Sequence, residues 1–352
     1  MIHDAVRPLI SHKIIDDVIN ALQKYDAVDV AIPSTDTIIK VDEKLKIIEI
    51  PDRSKYWRGQ TPQGFKLGLI KKAHNLAKKD NFTKVTDDCG LIIHYKLSDV
   101  YVVKGEEENI KITYPIDLYL ADKLFQLKTI KNLEENIENL KNKVIVIFGA
   151  SRGIGKAIME EALKVGAIVY GFSRSNGVDV RNRNDIRKAL ESVYKKEGKV
   201  DYVIVTAAIL KKKPLLHFNY DEVIEQININ YIGSINVALE SYSYLKESKG
   251  SLILFTSSSY TRGRAFYSIY SSTKAAMVNL VQALSEEWSK DGIKINAICP
   301  ERTATPMRFE NFGKEPPETL LDPYYVAKMT LSVLLSNVTG QVIEIRKSNA
   351  TS

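Results

Sequence analysis

The sequence predicts two α/β units in tandem, of which the second is a doubly wound parallel sheet. Short β-branched runs alternate with helical stretches, and one charged helical segment at residues 117–140 separates two different patterns. Apolar residues form 44% of the 352-residue chain and charged residues 26%, so each unit is expected to bury a core of its own.

The first unit is predicted over residues 1–127. Its strands are expected at 28–32, 47–50 and 100–103, and its helices at 14–24 and 66–79. Apolar residues then recur at helical spacing, first Leu120, Leu124 and Leu127, and afterwards Ile130, Leu133, Ile137 and Leu140. This pattern predicts a helix that ends the unit, a break at 128–132, and a charged linker over 128–142.

The second unit is predicted over residues 143–352. It opens with V-I-V-I-F, residues 144–148, which is wholly apolar and rich in β-branched residues and so indicates a buried parallel strand. Further strands are expected at 167–172, 202–206, 251–256, 294–298 and 340–345. The helices between them are expected at 156–165, 185–195, 221–241, 272–290 and 325–335.

Composition excludes several classes of protein. Two distant cysteines, Cys89 and Cys299, exclude a disulfide framework and favour a reducing, cytoplasmic setting. No apolar run approaches the roughly 20 residues of a membrane span, and residues 1–8, with their charges and proline, are not expected to form the apolar core of a signal peptide. The net charge is +7, but the lysines are scattered and the tightest cluster is Lys211–Lys213, so nucleic acid is not expected as a partner.

The first strand of the second unit runs into G-A-S-R-G-I-G, residues 149–155, and a helix follows. Gly149 allows a tight turn, Gly153 lets the main chain approach a pyrophosphate, and Gly155 lets the helix pack against the strand. Free N–H groups and the helix dipole favour phosphates at this end. The motif predicts a dinucleotide site formed in this loop by Gly149, Ser151, Arg152, Gly153, Ile154 and Gly155.

The end of the second strand distinguishes between the two nicotinamide cofactors. An acidic residue there would bind a free ribose hydroxyl, whereas an arginine accommodates a 2′-phosphate. The chain reads G-F-S-R-S, which places Arg174 at this point, and Arg152 in the glycine turn adds a second positive charge. NADP(H) is therefore predicted in preference to NAD.

Tyr270 and Lys274 form the chemical signal of the second unit. Four residues apart at the start of a helix, they share one face, and a lysine ammonium is expected to lower the pKa of a nearby phenol. Ser257 follows a strand thirteen residues earlier, at the sheet edge where α/β proteins bind ligands. The three residues predict proton transfer to a carbonyl oxygen as a hydride arrives.

On these motifs, residues 143–345 resemble the short-chain dehydrogenase/reductase family. The resemblance implies that Ser257 polarises the carbonyl, Tyr270 donates the proton, Lys274 binds the nicotinamide ribose, and Asn230 anchors a water in the proton relay. It also implies that Asp179 and Val180 meet adenine and that Thr305 meets the nicotinamide amide. The chain departs from the family pattern with T-A-A-I at 206–209, with Glu301 after Pro300, and with a short substrate lid at 307–321.

The first unit carries another set of ordered motifs: H-D-A-V-R-P at 3–8, P-S-T-D-T at 33–37, R-S-K-Y-W-R-G-Q-T-P-Q at 53–63, T-D-D at 86–88 and G-E-E-E-N-I-K-I-T at 105–113. Spacing alone favours a salt bridge between Asp4 and Arg7. Together the motifs resemble the cytidylyltransferases that act on sugar or polyol phosphates, a partial nucleotide-diphospho-sugar-transferase-like domain. The resemblance implies roles for five residues. Asp4 would hold Mg²⁺ and nucleotide phosphate, Lys111 would face the phosphates, and Thr37, Arg53 and Thr61 would meet the polyol phosphate.

That family opens with a strand and a Gly-rich, basic loop that grips CTP, and no such loop precedes His3. The sequence therefore predicts a transferase half that is truncated at its N-terminus and inactive alone. Its arm at residues 37–57 is expected to cross to a second subunit, which makes a homo-oligomer, dimer or tetramer, the expectation.

The tandem order resembles a family of bifunctional enzymes that make CDP-ribitol for bacterial surface polymers. It implies reduction of ribulose 5-phosphate to ribitol 5-phosphate with NADPH. Two alternatives stay open. One is a cytidylyltransferase completed by a separate piece, which would make a CDP-polyol from CTP and a polyol phosphate. The other is a non-catalytic dimerisation module fused to a reductase of other specificity.

Overall fold

The computed structural model describes residues 1–131 and 137–347, and it divides the chain into two units between Phe125 and Gln126. Leu133 and the middle of the predicted linker lie outside the described residues. The helix expected to break at 128–132 continues through Lys131. None of the helices within the described ranges combines the length and apolarity needed to cross a bilayer.

The first unit is built on a three-stranded sheet of order β4-β1-β5, in which β1 pairs antiparallel with β4 and parallel with β5. Ser11 caps α1 by accepting a hydrogen bond from the Ile14 main chain. The elements are α1 (His12–Ala21), β1 (Ala27–Pro33), β2 (Lys40–Val41), β3 (Ile47–Glu49), β4 (Trp57–Phe65), α2 (Leu67–Lys79), α3 (Asp88–His94), β5 (Tyr101–Lys104) and α4 (Pro115–Lys131).

Strand β4 is not predicted by the sequence, because its Gly59, Pro62 and Gly64 are residues that normally weaken a strand. The structure accommodates them at the edge of the sheet. Between the pairs Val28–Gly64 and Val30–Gln60, three residues of β4 oppose one of β1, so the strand bulges around Pro62. β2 and β3 form a separate hairpin whose apolar side chains are exposed, within the arm predicted at 37–57.

The second unit is a six-stranded parallel sheet of order β11-β10-β9-β8-β6-β7 with helices on both faces. Its elements are β6 (Val144–Phe148), α5 (Gly153–Lys164), β7 (Ile168–Phe172), α6 (Arg183–Glu197), β8 (Tyr202–Val205), α7 (Tyr220–Ile227), α8 (Gly233–Ser248), β9 (Ser251–Phe255), α9 (Ser268–Glu287), β10 (Lys294–Pro300), α10 (Pro306–Phe312), α11 (Pro323–Leu335) and β11 (Val342–Ile345). All six predicted strands are present.

Alternate side chains of β6 supply two cores. Val144, Val146 and Phe148 pack with α6, α8 and α9, while Ile145 and Ile147 pack with α5 and α11. The strand order reverses at β6, which lies between β7 and β8. In such sheets the crevice outside the carboxyl ends of the strands is the ligand site.

Candidate active site

The turn after β6 has the tight geometry that its glycines predict. Gly149 has φ +103°, and a Cβ there would lie 2.4 Å from the main-chain nitrogen of Ala207. A Cβ on Gly155 would lie 2.3 Å from the Gly149 carbonyl oxygen, so α5 packs against the strand end only because this residue is glycine. Thr206, where the family pattern has asparagine, donates its hydroxyl to the Gly149 carbonyl at 3.0 Å.

A cleft of about 380 Å³ opens at the carboxyl ends of the strands. The whole predicted dinucleotide set lines it, namely Gly149, Ser151, Arg152, Gly153, Ile154, Gly155, Arg174, Asp179, Val180 and Thr305. Tyr270 and Lys274 line the same cleft. The glycine turn and the start of α5 therefore leave room for a dinucleotide whose reactive end would lie toward α9.

The three predicted catalytic residues come together where β9 ends and α9 begins. The Ser257 side chain lies close enough to the Tyr270 hydroxyl to lower the pKa of that phenol. Lys274 is buried, and its Nζ donates to the Phe255 carbonyl at 2.7 Å while lying 5.5 Å from the centre of the Tyr270 ring. The helix begins at Ser268, earlier than predicted, which puts Tyr270 in its first turn.

The sequence predicts that the pKa of Tyr270 is lowered, and this prediction is wrong. Burial raises the pKa of this phenol to about 12, and the contact with Ser257 offsets only part of the rise. Burial also lowers the pKa of Lys274 to about 8, and its ammonium faces a carbonyl oxygen rather than a phenolate. Tyr270 is therefore protonated at neutral pH, as a proton donor in a reduction must be.

Asn230 lies behind the wall of the cleft. It is fully buried in a single π-helical turn, Asn228–Ile232, which interrupts the helix predicted over 221–241. Its amide accepts from the Ile209 nitrogen at 2.8 Å and donates to the Ile209 carbonyl at 2.9 Å. Since Ile209 lines the cleft, Asn230 holds one wall in place. Its predicted role in a water relay stays a prediction.

The positive charges at the far end of the cleft differ in their partners. Arg152, the second positive charge of the predicted site, is paired, because its guanidinium bonds Glu310 on α10 at 2.5 and 3.4 Å. Nothing in the sequence indicates Glu310, which is 158 residues away. Asp179 is tied to Arg181, whose guanidinium lowers the pKa of that carboxyl. The Arg174 side chain is exposed, and its guanidinium has no hydrogen bond or ion pair with any described residue.

In the first unit the structure brings together three of the five predicted residues. Asp4 lies 3.3 Å from Lys111 and 3.5 Å from Arg7, and its main-chain nitrogen donates to the Thr61 hydroxyl at 3.0 Å. The Asp4–Arg7 salt bridge is confirmed. No hydrogen bond or ion pair among residues 1–131 and 137–347 joins Thr37 or Arg53 to this cluster; Arg53 instead donates to the Thr35 carbonyl at 3.0 Å.

The described ranges contain no group of three or more His, Cys, Asp or Glu side chains suited to a metal. Asp4 is a single carboxylate beside two cations. Magnesium is commonly held by one or two carboxylates together with substrate phosphates, so Asp4 fits such a site only with phosphate oxygens as further ligands.

Comparison with known proteins defines the class of each unit. Residues 1–127 match the family described as IspD: 2-C-methyl-D-erythritol 4-phosphate cytidylyltransferase, and residues 176–316 match adh_short: short chain dehydrogenase. The structure of a 3-ketoacyl-(acyl-carrier-protein) reductase from Brucella melitensis, complexed with NADH, superposes with a TM-score of 0.55 at 22% identity and covers 58% of this chain and 97% of that chain. An aldohexose dehydrogenase from Thermoplasma acidophilum gives 0.54 at 20% identity, over 60% and 94%. The second unit thus has the short-chain dehydrogenase fold, as predicted.

One relative extends over both units. The "Bifunctional ribulose 5-phosphate reductase/CDP-ribitol pyrophosphorylase Bcs1" of Haemophilus influenzae is 49% identical over 352 residues, which are 98% of this chain and 74% of that protein. The chain belongs to this family of bifunctional reductase–cytidylyltransferase enzymes. A 2-C-methyl-D-erythritol 4-phosphate cytidylyltransferase of Thermobifida fusca is 41% identical over 131 residues, 36% of this chain, and the chain spans 53% of its length.

Proposed function

We propose that the second unit reduces the ketone of a sugar phosphate with NADPH, and that the substrate is ribulose 5-phosphate and the product ribitol 5-phosphate. The observation that carries the proposal is that Tyr270 and Lys274 lie together in the glycine-lined cleft and that Ser257 interacts with the Tyr270 hydroxyl. The name of the relative from Haemophilus influenzae supports the choice of substrate.

Different residues of the cleft have different roles in such a reduction. The loop at 149–155 and the start of α5 would hold the cofactor phosphates, and the bound dihydronicotinamide would supply the hydride. Ser257 donates a hydrogen bond to the carbonyl oxygen, and Tyr270 transfers its hydroxyl proton to that oxygen as charge develops on it. Lys274 lies beside Tyr270 and is part of the cleft lining.

The direct test is an assay of the purified chain with ribulose 5-phosphate and NADPH. We expect stoichiometric oxidation of NADPH and formation of ribitol 5-phosphate, identified by mass and by comparison with an authentic standard. Xylulose 5-phosphate and unphosphorylated ribulose serve as comparison substrates. Absence of turnover with ribulose 5-phosphate would reject the assigned substrate.

We propose NADPH rather than NADH because the Arg174 guanidinium, at the adenosine end of the cleft, forms no hydrogen bond or ion pair within the described part of the chain. We expect Arg174→Ala to raise KM for NADPH by about 10- to 100-fold, because the variant loses a charge-assisted hydrogen bond to the 2′-phosphate. KM for NADH should stay unchanged. Steady-state kinetics with both cofactors measure the effect. Lys188→Ala removes another exposed charge of this unit and should change neither constant. An equal change for both cofactors would contradict the assignment.

A second activity, transfer of a cytidylyl group from CTP to a polyol phosphate, is favoured by the Asp4 cluster. Lys111 and Arg7 are placed to face negative charge, and Asp4 would hold Mg²⁺ together with the phosphates. Release of pyrophosphate from CTP and ribitol 5-phosphate would demonstrate it. The assay is run with the chain alone and with an added polypeptide that carries a Gly-rich CTP loop, and release in neither case would reject this activity.

Three further assignments accompany the proposed activities. We propose units at 1–127 and 143–352 joined by a linker at 128–142, a homo-oligomer, and a cytoplasmic location. The two free, buried cysteines support a reducing compartment. The exposed apolar side chains of the β2–β3 hairpin support a role of the first unit in dimerisation. Mass measurement of the chain with and without residues 1–126 tests that role.

A further inference from the structure

The three consecutive lysines Lys211–Lys213 differ in the ion pairs that their ammonium groups form. Lys211 Nζ bonds Glu225 at 2.7 Å, and Lys213 Nζ bonds Glu222 at 2.5 Å. Lys212 is exposed, and no hydrogen bond or ion pair joins its ammonium to any residue in the described part of the chain. The run therefore contains two paired cations and, between them, one that is available to a ligand.

The main chain around Lys212 is held on both sides. The Lys211 nitrogen donates to the buried Gln226 side chain at 2.9 Å, and the Lys213 nitrogen donates to the Phe266 carbonyl at 2.6 Å. With its neighbours anchored, Lys212 places Nζ 4.4 Å from the centre of the Phe312 ring. A cation over an aromatic face is partly ordered before a ligand arrives, so binding costs less side-chain entropy.

Ring contacts connect this ammonium to the catalytic end of the cleft. The Phe312 ring meets Tyr267 edge to face at 5.9 Å between centres, and Tyr267 meets Tyr270 in the same manner at 6.3 Å. Lys212 also follows Ile209, a residue of the cleft wall, by three positions. Lys212 itself is not part of the cleft lining, so it lies outside the cofactor site, with the rings of Phe312 and Tyr267 between it and Tyr270.

The surroundings of Phe312 carry an excess of positive charge. Arg308 lies 3.8 Å from the ring centre and bonds Glu315 at 2.5 and 2.7 Å, while Arg302 lies 3.7 Å from the same carboxylate. The charge of Lys212 also lowers the pKa of Glu315. One carboxylate thus faces three cations, and Arg308, its bidentate partner, neutralises it most directly. A phosphate monoester, with a charge of about −1.5 to −2 at neutral pH, would balance the remainder.

We propose that Lys212, beside Phe312 and Arg308, forms a subsite for the phosphate group of the reductase substrate. Lys212 binds the phosphate while Ser257 and Tyr270 hold the carbonyl oxygen at the other end of the same molecule. A lysine ammonium acts as a point charge on phosphate and needs no fixed bidentate geometry, which suits its exposed position. The inference rests on the proposed reduction of a ketose phosphate, and it assigns the preference for a phosphorylated ketose to the Lys211–Lys213 segment.

The experiment compares wild type with Lys212→Met, which keeps most of the side-chain length and removes the charge, and with Lys212→Arg, which keeps the charge. For ribulose 5-phosphate we expect Lys212→Met to raise KM by about 10- to 100-fold with a much smaller change in kcat, and Lys212→Arg to restore most of the loss. KM for NADPH should not change in either variant. Lys290→Met, another exposed lysine of the same unit, is the matched control and should equal wild type.

A second readout does not depend on turnover. Inorganic phosphate and ribitol 5-phosphate should each raise the thermal unfolding temperature of wild type in the presence of NADP⁺, and this rise should be lost in Lys212→Met but not in Lys290→Met. If wild type does not reduce ribulose 5-phosphate but shows the Lys212-dependent rise, the proposed substrate fails and the phosphate subsite stands. An unchanged KM together with an equal rise in Lys212→Met overturns the subsite.

Discussion

Replacement of Tyr270 by phenylalanine should remove ketone reduction almost completely, with a loss in kcat/KM of about 10²- to 10⁴-fold, the range of general acid catalysis. The variant keeps the ring and its contacts with Tyr267 and Lys274 and removes the group that donates the proton. At neutral pH this phenol is protonated, because burial raises its pKa to about 12. Ser257 is an aliphatic hydroxyl and a weaker acid, and the ammonium of Lys274 donates to the Phe255 carbonyl instead.

Stopped-flow measurement of NADPH oxidation with ribulose 5-phosphate tests this expectation, and quenching of cofactor fluorescence checks that NADPH still binds. Tyr267→Phe is the matched control, because it removes a phenolic hydroxyl from a neighbouring ring that has no hydrogen bond to any described residue. The control should keep activity within a few-fold of wild type. A Tyr270→Phe enzyme that retained more than about a tenth of wild-type turnover would exclude Tyr270 as the proton donor.

Substitution of Gly149 by alanine is expected to destabilise the second unit by about 2–5 kcal/mol and to prevent cofactor binding. Two causes add together at this position. The residue has φ +103°, where an L side chain is strained, and the new Cβ would lie 2.4 Å from the main-chain nitrogen of Ala207. The contact is with backbone, so a side-chain rotation cannot relieve it.

Gly198→Ala is the matched control, because Gly198 has φ +72° and a Cβ there would meet nothing within 4 Å. It should cost only the strain, about 1–2 kcal/mol. The chain has two tryptophans, so in a Trp57→Phe background the fluorescence of the buried Trp288 follows unfolding of the second unit alone. Equal losses for Gly149→Ala and Gly198→Ala in urea titrations would show that the close approach to Ala207 is unimportant.

Local pattern was sufficient for most of the second unit. Its strands are short apolar runs between turn residues, and all six appear where the sequence predicts them. The glycine loop was also predictable, because each glycine meets a steric requirement of the strand–turn–helix connection that depends only on nearby residues. The secondary structure of the first unit was harder to predict, since the glycines and proline of β4 are tolerated only at a bulged sheet edge.

Partners distant in the sequence were not predictable. Arg152 pairs with Glu310, which is 158 positions away in the sequence. Lys211 and Lys213 pair with glutamates, whereas Lys212, although it is also a lysine, contacts an aromatic ring. The π turn at Asn228–Ile232 splits a helix whose apolar pattern runs on without interruption. Each of these depends on which surface the fold brings opposite the residue.

The sequence by itself determined the two-unit order, the parallel sheet, the glycine loop and the identity of the Ser257, Tyr270 and Lys274 group, because strand period, turn chemistry and helical spacing act over a few residues. The tertiary structure alone decided the pKa shifts of that group and the pairing of the charges around the cleft. Burial, which raises the pKa of Tyr270 and lowers that of Lys274, exists only once the strands and helices have closed around the side chains.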